Sequence, residues 1–462
     1  MTTLTNLNIL ARSLPTDMCG MAAEIRSGRR QASELLDIAI AAADSPACRH
    51  AYVRRFDAAA RAAAMAIDEA RRVGTPIPPL AGLAVSVKDL FDVAGMPTTA
   101  GSKSLADALP AADDCPAVAR LRGAGAALTG HSNLTEFAFS GIGINPHHGT
   151  PANVATAALD DTPRIPGGST SGGAVTVAAG AAWAALGSDT RGSIRVPAAL
   201  HGLVGFKNTQ SLTPTQGCLP LSFTLDTACA ITRSVRDAVL LHEVLAARQV
   251  RLQHRPLRAL RLALPRGAML EGLDATVARA FERSLARLRD GGADIVDVSL
   301  PDSDTPWQSS GQISGAEAWA WHRARIEAHQ ADYDPRVLSR IRSGSSVLAA
   351  DYIERLQTRR RWAADVAQSA AGFDAFVCPT VPVVAPPLAP LLADDDAFFA
   401  TNALLLRNPS VVNHLDGCAL TLPCHESGEL PVGLMVWAPA GGDDRVLDVS
   451  LTIERSLAQL GH

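Results

Sequence analysis

The stretch Pro166–Lys207, PGGSTSGGAVTVAAGAAWAALGSDTRGSIRVPAALHGLVGFK, decides how the chain is read. Two loops dense in glycine and serine, Gly167–Gly173 and Ser188–Ser193, flank an apolar, alanine-rich segment. Glycine admits backbone conformations closed to other residues and lets a second group come close. Serines set among such glycines serve either as anion-binding hydroxyls or as nucleophiles. The common phosphate loops do not match: the stretch has no GxxxxGK[ST] and no GxGxxG. Gly168-Ser169-Thr170-Ser171-Gly172 has the outline of a GxSxG nucleophile elbow, but threonine stands where the serine belongs.

A serine nucleophile needs a base to take its proton. Histidine is the usual one, yet none has an obvious claim. His147-His148 are adjacent in a Pro/Gly-rich loop, a poor spacing for zinc, and no HExxH occurs. The other route is a lysine kept neutral by burial, since leaving water disfavours the ammonium. Lys88 ends the apolar run GLAVSV (Gly82–Val87), which reads as a buried strand. It is either such a base or a lysine whose head reaches solvent along its own stem.

Around this core the pattern alternates. Helical periodicity runs through Met21–Ile25, Leu35–Ala42 and Ala58–Ala70, and again through Cys115–Arg122, Ala174–Ala181, Val235–Ala247, Val277–Asp290, Glu317–His329, Ala349–Ser369 and Asp444–Leu460. Leu134–Ser140 reads as a short helix. Strands are expected at Leu83–Val87, Gly125–Thr129, Trp183–Leu186, Leu203–Phe206, Leu257–Leu264, Ala293–Val298, Phe373–Val384, Ala419–Leu422 and Val432–Trp437. The alternation predicts an α/β fold around a mixed sheet. Gly141–Gly168 is a long irregular stretch of the kind that carries function.

Composition narrows the function. The chain is 47% hydrophobic and 19% charged, enough to bury a core without long disorder. A net charge of −4 and 4% aromatic residues predict neither an electrostatic grip on nucleic acid nor a base-stacking platform. The eight cysteines form no CxxC pair, so free thiols in a reducing compartment are expected rather than a disulfide framework or a zinc site. The N-terminal MTTLTNLNILARSLPTD does not read as a secretory signal, and no run is long and apolar enough to span a membrane. A soluble, cytoplasmic protein is expected.

Several segments together resemble the amidase signature family. GLAVSVKDLFDVAGMPTTAGS (Gly82–Ser102) is similar to the family's lysine segment and SNLTEFAFSG (Ser132–Gly141) to its NxxEF helix. IPGGSTSGGAVTVAAG and SDTRGSIRVPAALHGLVGFKNT resemble its serine-bearing core, and FDAFVCPTVP, NHLDGCALTLP and LPVGLMVWAP its C-terminal strands. The resemblance implies one domain over residues 1–462, with a central mixed β-sheet covered by helices on both faces. Within it, about 1–73 form an N-terminal helical part, 82–235 the core, about 245–375 a variable substrate-side region, and 376–462 a part that completes the sheet.

The resemblance also implies the chemistry. Ser193 is the expected nucleophile, Ser169 the serine on a cis peptide that relays its proton, and Lys88 the neutral base. Backbone N–H groups of Thr190, Arg191, Gly192 and Ser193 form the expected oxyanion hole. Ser171, Asp189 and Arg195 are supports; Phe139, Gly141, Leu219, Phe223 and Asp226 are candidate substrate contacts, with Trp307, Trp319 and Trp321 in a further candidate segment. Arg191 stands where the family usually has glycine; pairing with a carboxylate is the expected use of it, and a role in substrate choice beside the substrate path is the alternative. Cys229-Ala230 replaces the Gly-Pro that normally follows Asp226, which puts the backbone there in question. No metal or cofactor is required.

The expected activity is hydrolysis of amide C–N bonds in a small molecule, extending to carbamates, anilides and esters, by a monomer or homodimer that engages neither nucleic acid nor membrane. Apolar residues in the candidate loops favour an aryl or alkyl amide over a charged small acid. Two rivals stand beside this reading: the A chain of a tRNA-dependent amidotransferase, and a catalytically silent binding protein on the same fold.

Overall fold

The computed structural model describes residues 17–157, 159–301 and 305–458, the side chains of 305–309 excepted. The N-terminal segment, the side chain of Trp307 and the last two residues of the expected helix Asp444–Leu460 therefore lie outside the described residues. Eleven strands among the described residues form one sheet: β1 (Tyr52–Arg55), β2 (Ala84–Lys88), β3 (Ala127–Ser132), β4 (Ala184–Asp189), β5 (Val204–Lys207), β6 (Thr227–Thr232), β7 (Arg261–Arg266), β8 (Asp294–Ser299), β9 (Ala375–Pro379), β10 (Cys418–Pro423) and β11 (Gly433–Ala438). Their order is β1-β3-β2-β4-β6-β5-β10-β11-β9-β7-β8. β2 runs parallel to β3 and β4, and β7 parallel to β8 and β9; the other pairings are antiparallel.

Side chains alternate across a strand, so a sheet covered on both faces sends successive apolar residues into different cores. β10 and β11 do this. Cys418, Leu420, Leu422, Leu434 and Val436 join one cluster with the helices Val235–Ala246, Ala275–Asp290 and Asp443–Ala458. Ala419, Met435 and Trp437 join another with Trp362 and Val411, from the helices Ala349–Ser369 and Asp395–His414. The Trp437 ring stacks on Phe376, centroids 4.1 Å apart. The expected α/β fold with helices on both faces is what the chain adopts.

Local readings differ from the structure at a few places. Leu134–Ser140 is a single 3-10 turn, Glu136–Ala138, because Phe137 sits at φ 48° and cannot continue a helix. Leu257–Leu264 divides into a 3-10 turn, Leu257–Ala259, and the start of β7. The replaced Gly-Pro does not disturb the backbone: Cys229 and Ala230 lie in β6 in register with Gly187 and Leu186 of β4. β1, β6 and the helices Pro335–Ser343 and Asp395–His414 add to the elements that the sequence pattern predicts. No helix among the described residues is long and apolar enough to cross a membrane.

Candidate active site

Parallel neighbours bring their carboxyl ends to one edge, the usual place for a ligand in an α/β sheet. β2 and β4 are such a pair, with Val87 opposite Leu186. Lys88 ends β2, and Ser188 and Asp189 end β4. The Gly167–Gly173 loop then enters the buried helix Ser171–Ala178, and the Ser188–Ser193 loop enters the buried helix Arg195–His201. Glycine is needed here for closeness: a Cβ on Gly172 would lie 2.2 Å from the Ala51 carbonyl oxygen.

Lys88 is fully buried, and its Nζ lies 2.8 Å from Ser169 Oγ and 2.9 Å from Ser188 Oγ. Burial lowers it to about 8, against the opposing pull of Cys218, Asp226, Cys229 and Asp189. Lys207, also buried, makes a useful contrast: its Nζ donates to the carbonyls of Asn208 and Gly417 at 2.9 and 2.7 Å. Carbonyls have no proton to give; the hydroxyls around Lys88 do. The Gly168–Ser169 peptide is cis. The two serine loops are joined by Thr170 N–H, which donates to the Ser193 carbonyl at 3.3 Å.

Asp189 holds the second loop. Its carboxylate accepts from Gly192 N–H at 2.7 Å and Ile194 N–H at 3.3 Å, and from Arg195 Nε and Nη2 at 3.0 and 2.9 Å. Burial alone would raise this carboxyl, but Arg195 brings it down to about 2. Asn413 closes the cluster, donating to Asp189 Oδ1 at 2.9 Å and accepting from Arg195 Nη2 at 2.5 Å. The expectation for the oxyanion hole changes accordingly. Gly192 N–H is engaged by Asp189, which leaves Thr190, Arg191 and Ser193 as the backbone donors to consider.

Ser193 lines a small cavity with Thr190, Arg191, Leu221, Arg340 and Phe139. It adjoins a second cavity of about 360 Å³, and the two share Phe139, Arg191, Ser314 and Arg340. A larger groove of about 540 Å³, near Arg255 and Arg445, holds no residue of either serine loop. No histidine lines the two cavities at Ser193, and His147 pairs instead with buried Glu136 at 2.8 Å. No group of residues able to hold a metal occurs among the described residues.

The candidate substrate contacts separate. Phe139 faces the cavities. Gly141 lies behind them: its N–H donates to Asn402 at 2.8 Å and its carbonyl accepts from Gly168 at 2.7 Å. Leu219 packs into the core, and Phe223 is 61% exposed; neither lines a cavity at Ser193, where Leu221 stands instead. Asp226 is buried, raised by that burial to about 6, and accepts from Thr190 Oγ1 at 2.6 Å, so it braces the loop. Trp319 and Trp321 pack against the core. Ser171 donates to the Asn133 carbonyl at 3.5 Å, and Ser188 is the further serine on Lys88. Arg191 has no carboxylate partner among the described residues; its Nε donates to Ser410 Oγ at 3.1 Å.

The sequence and this geometry match known proteins along most of the chain. The family model described as Amidase matches residues 34–447. The chain belongs to the amidase signature family. It is therefore a hydrolase acting on C–N bonds. It is 35% identical over 423 residues to 2-amino-5-chloromuconic acid deaminase of Comamonas testosteroni, covering 89% of each chain. It is 32% identical to the A chain of the glutamyl-tRNA(Gln) amidotransferase of Salinispora tropica, covering 88% of this chain and 89% of that one. A solved amidase structure superposes with a TM-score of 0.85 at 34% identity, covering 95% of this chain and 99% of the other.

Proposed function

We propose that this amidase cleaves its substrate through an acyl-enzyme on Ser193, with Ser169 relaying the proton to Lys88. The observation that carries the reading is the buried Lys88 amine in contact with the Ser169 hydroxyl, on the loop tied to Ser193. Neutral Lys88 takes the Ser169 proton as Ser169 takes that of Ser193. Ser193 Oγ then attacks the carbonyl carbon, and the oxyanion meets the N–H groups of Thr190, Arg191 and Ser193. The proton returns through the serines to the leaving nitrogen as the C–N bond breaks. Water hydrolyses the ester by the same relay. The substrate is a small molecule, and carbamates, anilides and esters are open to the same attack.

The test is a panel of primary amides, anilides, carbamates and p-nitrophenyl esters. Ser193→Ala is expected to lose at least about a thousandfold in kcat while keeping its Tm. Turnover that persists in this variant would remove the nucleophile assignment. The likeness to the A chains of amidotransferases favours a second reading, in which the protein hands ammonia to a charged tRNA. Co-purification with partner proteins, and glutamine turnover that depends on them, would select it.

A further inference from the structure

We propose that Gly311 sets the size of substrate this enzyme accepts: by carrying no side chain it keeps open the cavity of about 360 Å³ near Ser193, which takes a ring-sized group set back from the scissile carbonyl. The inference rests on Ser193 being the nucleophile and adds the residue that limits the substrate's bulk.

The two cavities differ in width. The one that Ser193 lines holds about 30 Å³, room for little more than a reacting carbonyl. It adjoins the larger one where Phe139, Arg191, Ser314 and Arg340 line both. A cavity on the order of 150 Å³ is enough for benzene. A ring therefore fits the larger space and not the smaller. Bulk directly on the scissile carbonyl is excluded, and bulk a few bonds away is admitted.

Gly311, Gly315 and Gly344 all line the larger cavity, for different reasons. Gly344 is fixed by packing: a Cβ there would run into the Gly315 carbonyl oxygen, where the helix Thr305–His329 crosses the turn Gly344–Ser346. Gly315 belongs to the same crossing, since its own Cβ would touch Gly344 Cα at 3.5 Å. Gly311 is under neither constraint. An added Cβ would meet Arg191 Nη1 at 3.8 Å and otherwise open space. Its backbone is helical, so no positive φ calls for glycine. Glycine weakens a helix interior relative to alanine. Packing and backbone thus give no reason for glycine at this position; the cavity in front of it does. A side chain there would project into the space that receives the substrate.

The test uses the full-length enzyme and two series of esters. One holds p-nitrophenol as the leaving group and enlarges the acyl group from acetyl to 3-phenylpropanoyl. The other holds acetyl and enlarges the leaving group from phenol to 4-phenylphenol. The quantity read is kcat/KM for the largest member divided by that for the smallest. In at least one series Gly311→Leu is expected to lower this ratio about tenfold or more, and Gly311→Ala about threefold. Circular dichroism checks that each variant is folded. A ratio unmoved in both series, in Gly311→Leu or, should that variant not fold, in Gly311→Ala, overturns the assignment. Fluorophosphonate labelling of the wild-type enzyme reports separately on Ser193, so a failed nucleophile assignment and a failed size limit are told apart.

Discussion

At the residue scale, the proposed relay requires Lys88 to be uncharged. As the proposed base it must accept a proton, so its protonated form would be inactive, and burial lowers it to about 8. kcat/KM for an amide is therefore expected to rise with pH through an inflection near 8. A profile flat across that range would contradict Lys88 as the base. Ser188 should tune the same inflection, because its Oγ accepts from the ammonium form and stabilises it. Ser188→Ala is expected to move the inflection down by roughly half a unit, since the ammonium loses an acceptor. An unmoved inflection would assign Ser188 to packing alone. From its place after a buried apolar run the lysine is legible only as one of two readings, a neutral base or a side chain reaching solvent, and the family resemblance selects the base. Ser188 is not legible as its partner, because that contact depends on β2 and β4 lying side by side, which spacing along one chain does not reveal. The same holds for Gly192, whose N–H faces Asp189.

At the scale of elements, the loop that carries Ser193 is held by a buried ion pair and a helix from far along the chain. Asp189 and Arg195 are both fully buried, and Asn413 and the Pro409 carbonyl complete the cluster from the helix Asp395–His414. Removing one member of such a pair leaves the other charged and uncompensated. Asp189→Ala is expected to cost about 3–5 kcal/mol and to lower the urea midpoint, with Asp189→Asn milder. A midpoint unchanged in Asp189→Ala would mean that the pair does not hold the loop. A second fastening joins the long helix Thr305–His329 to the loop above the cavity. Glu317 accepts from Thr224 N–H at 3.1 Å and Tyr352 OH at 2.6 Å, and also from the Ser222 and Thr224 hydroxyls. The Asp189–Arg195 brace is readable from sequence through the resemblance of its segment to the family core. Asn413 is not, because Pro409 interrupts the pattern of its helix and the partners lie more than two hundred residues apart.

At the scale of the whole molecule, one sheet carries the site and the helices cover it. The serine loops, the lysine strand and the supporting helix come from separate parts of the chain and meet at the ends of β2 and β4. Period-two and helical patterns make most elements legible. β6 escapes because TACAIT is a wholly buried run of small and branched residues without alternation. The cavity's cationic lining escapes because Arg191 and Arg340 meet only through the fold. The most direct test of the central claim is to treat wild-type and Ser193→Ala protein with a fluorophosphonate and locate the adduct by intact-mass and peptide mass spectrometry. The expected result is one adduct, on Ser193, absent from the variant. An unlabelled wild-type enzyme known to be active, or an adduct on another serine that survives in Ser193→Ala, would contradict the account.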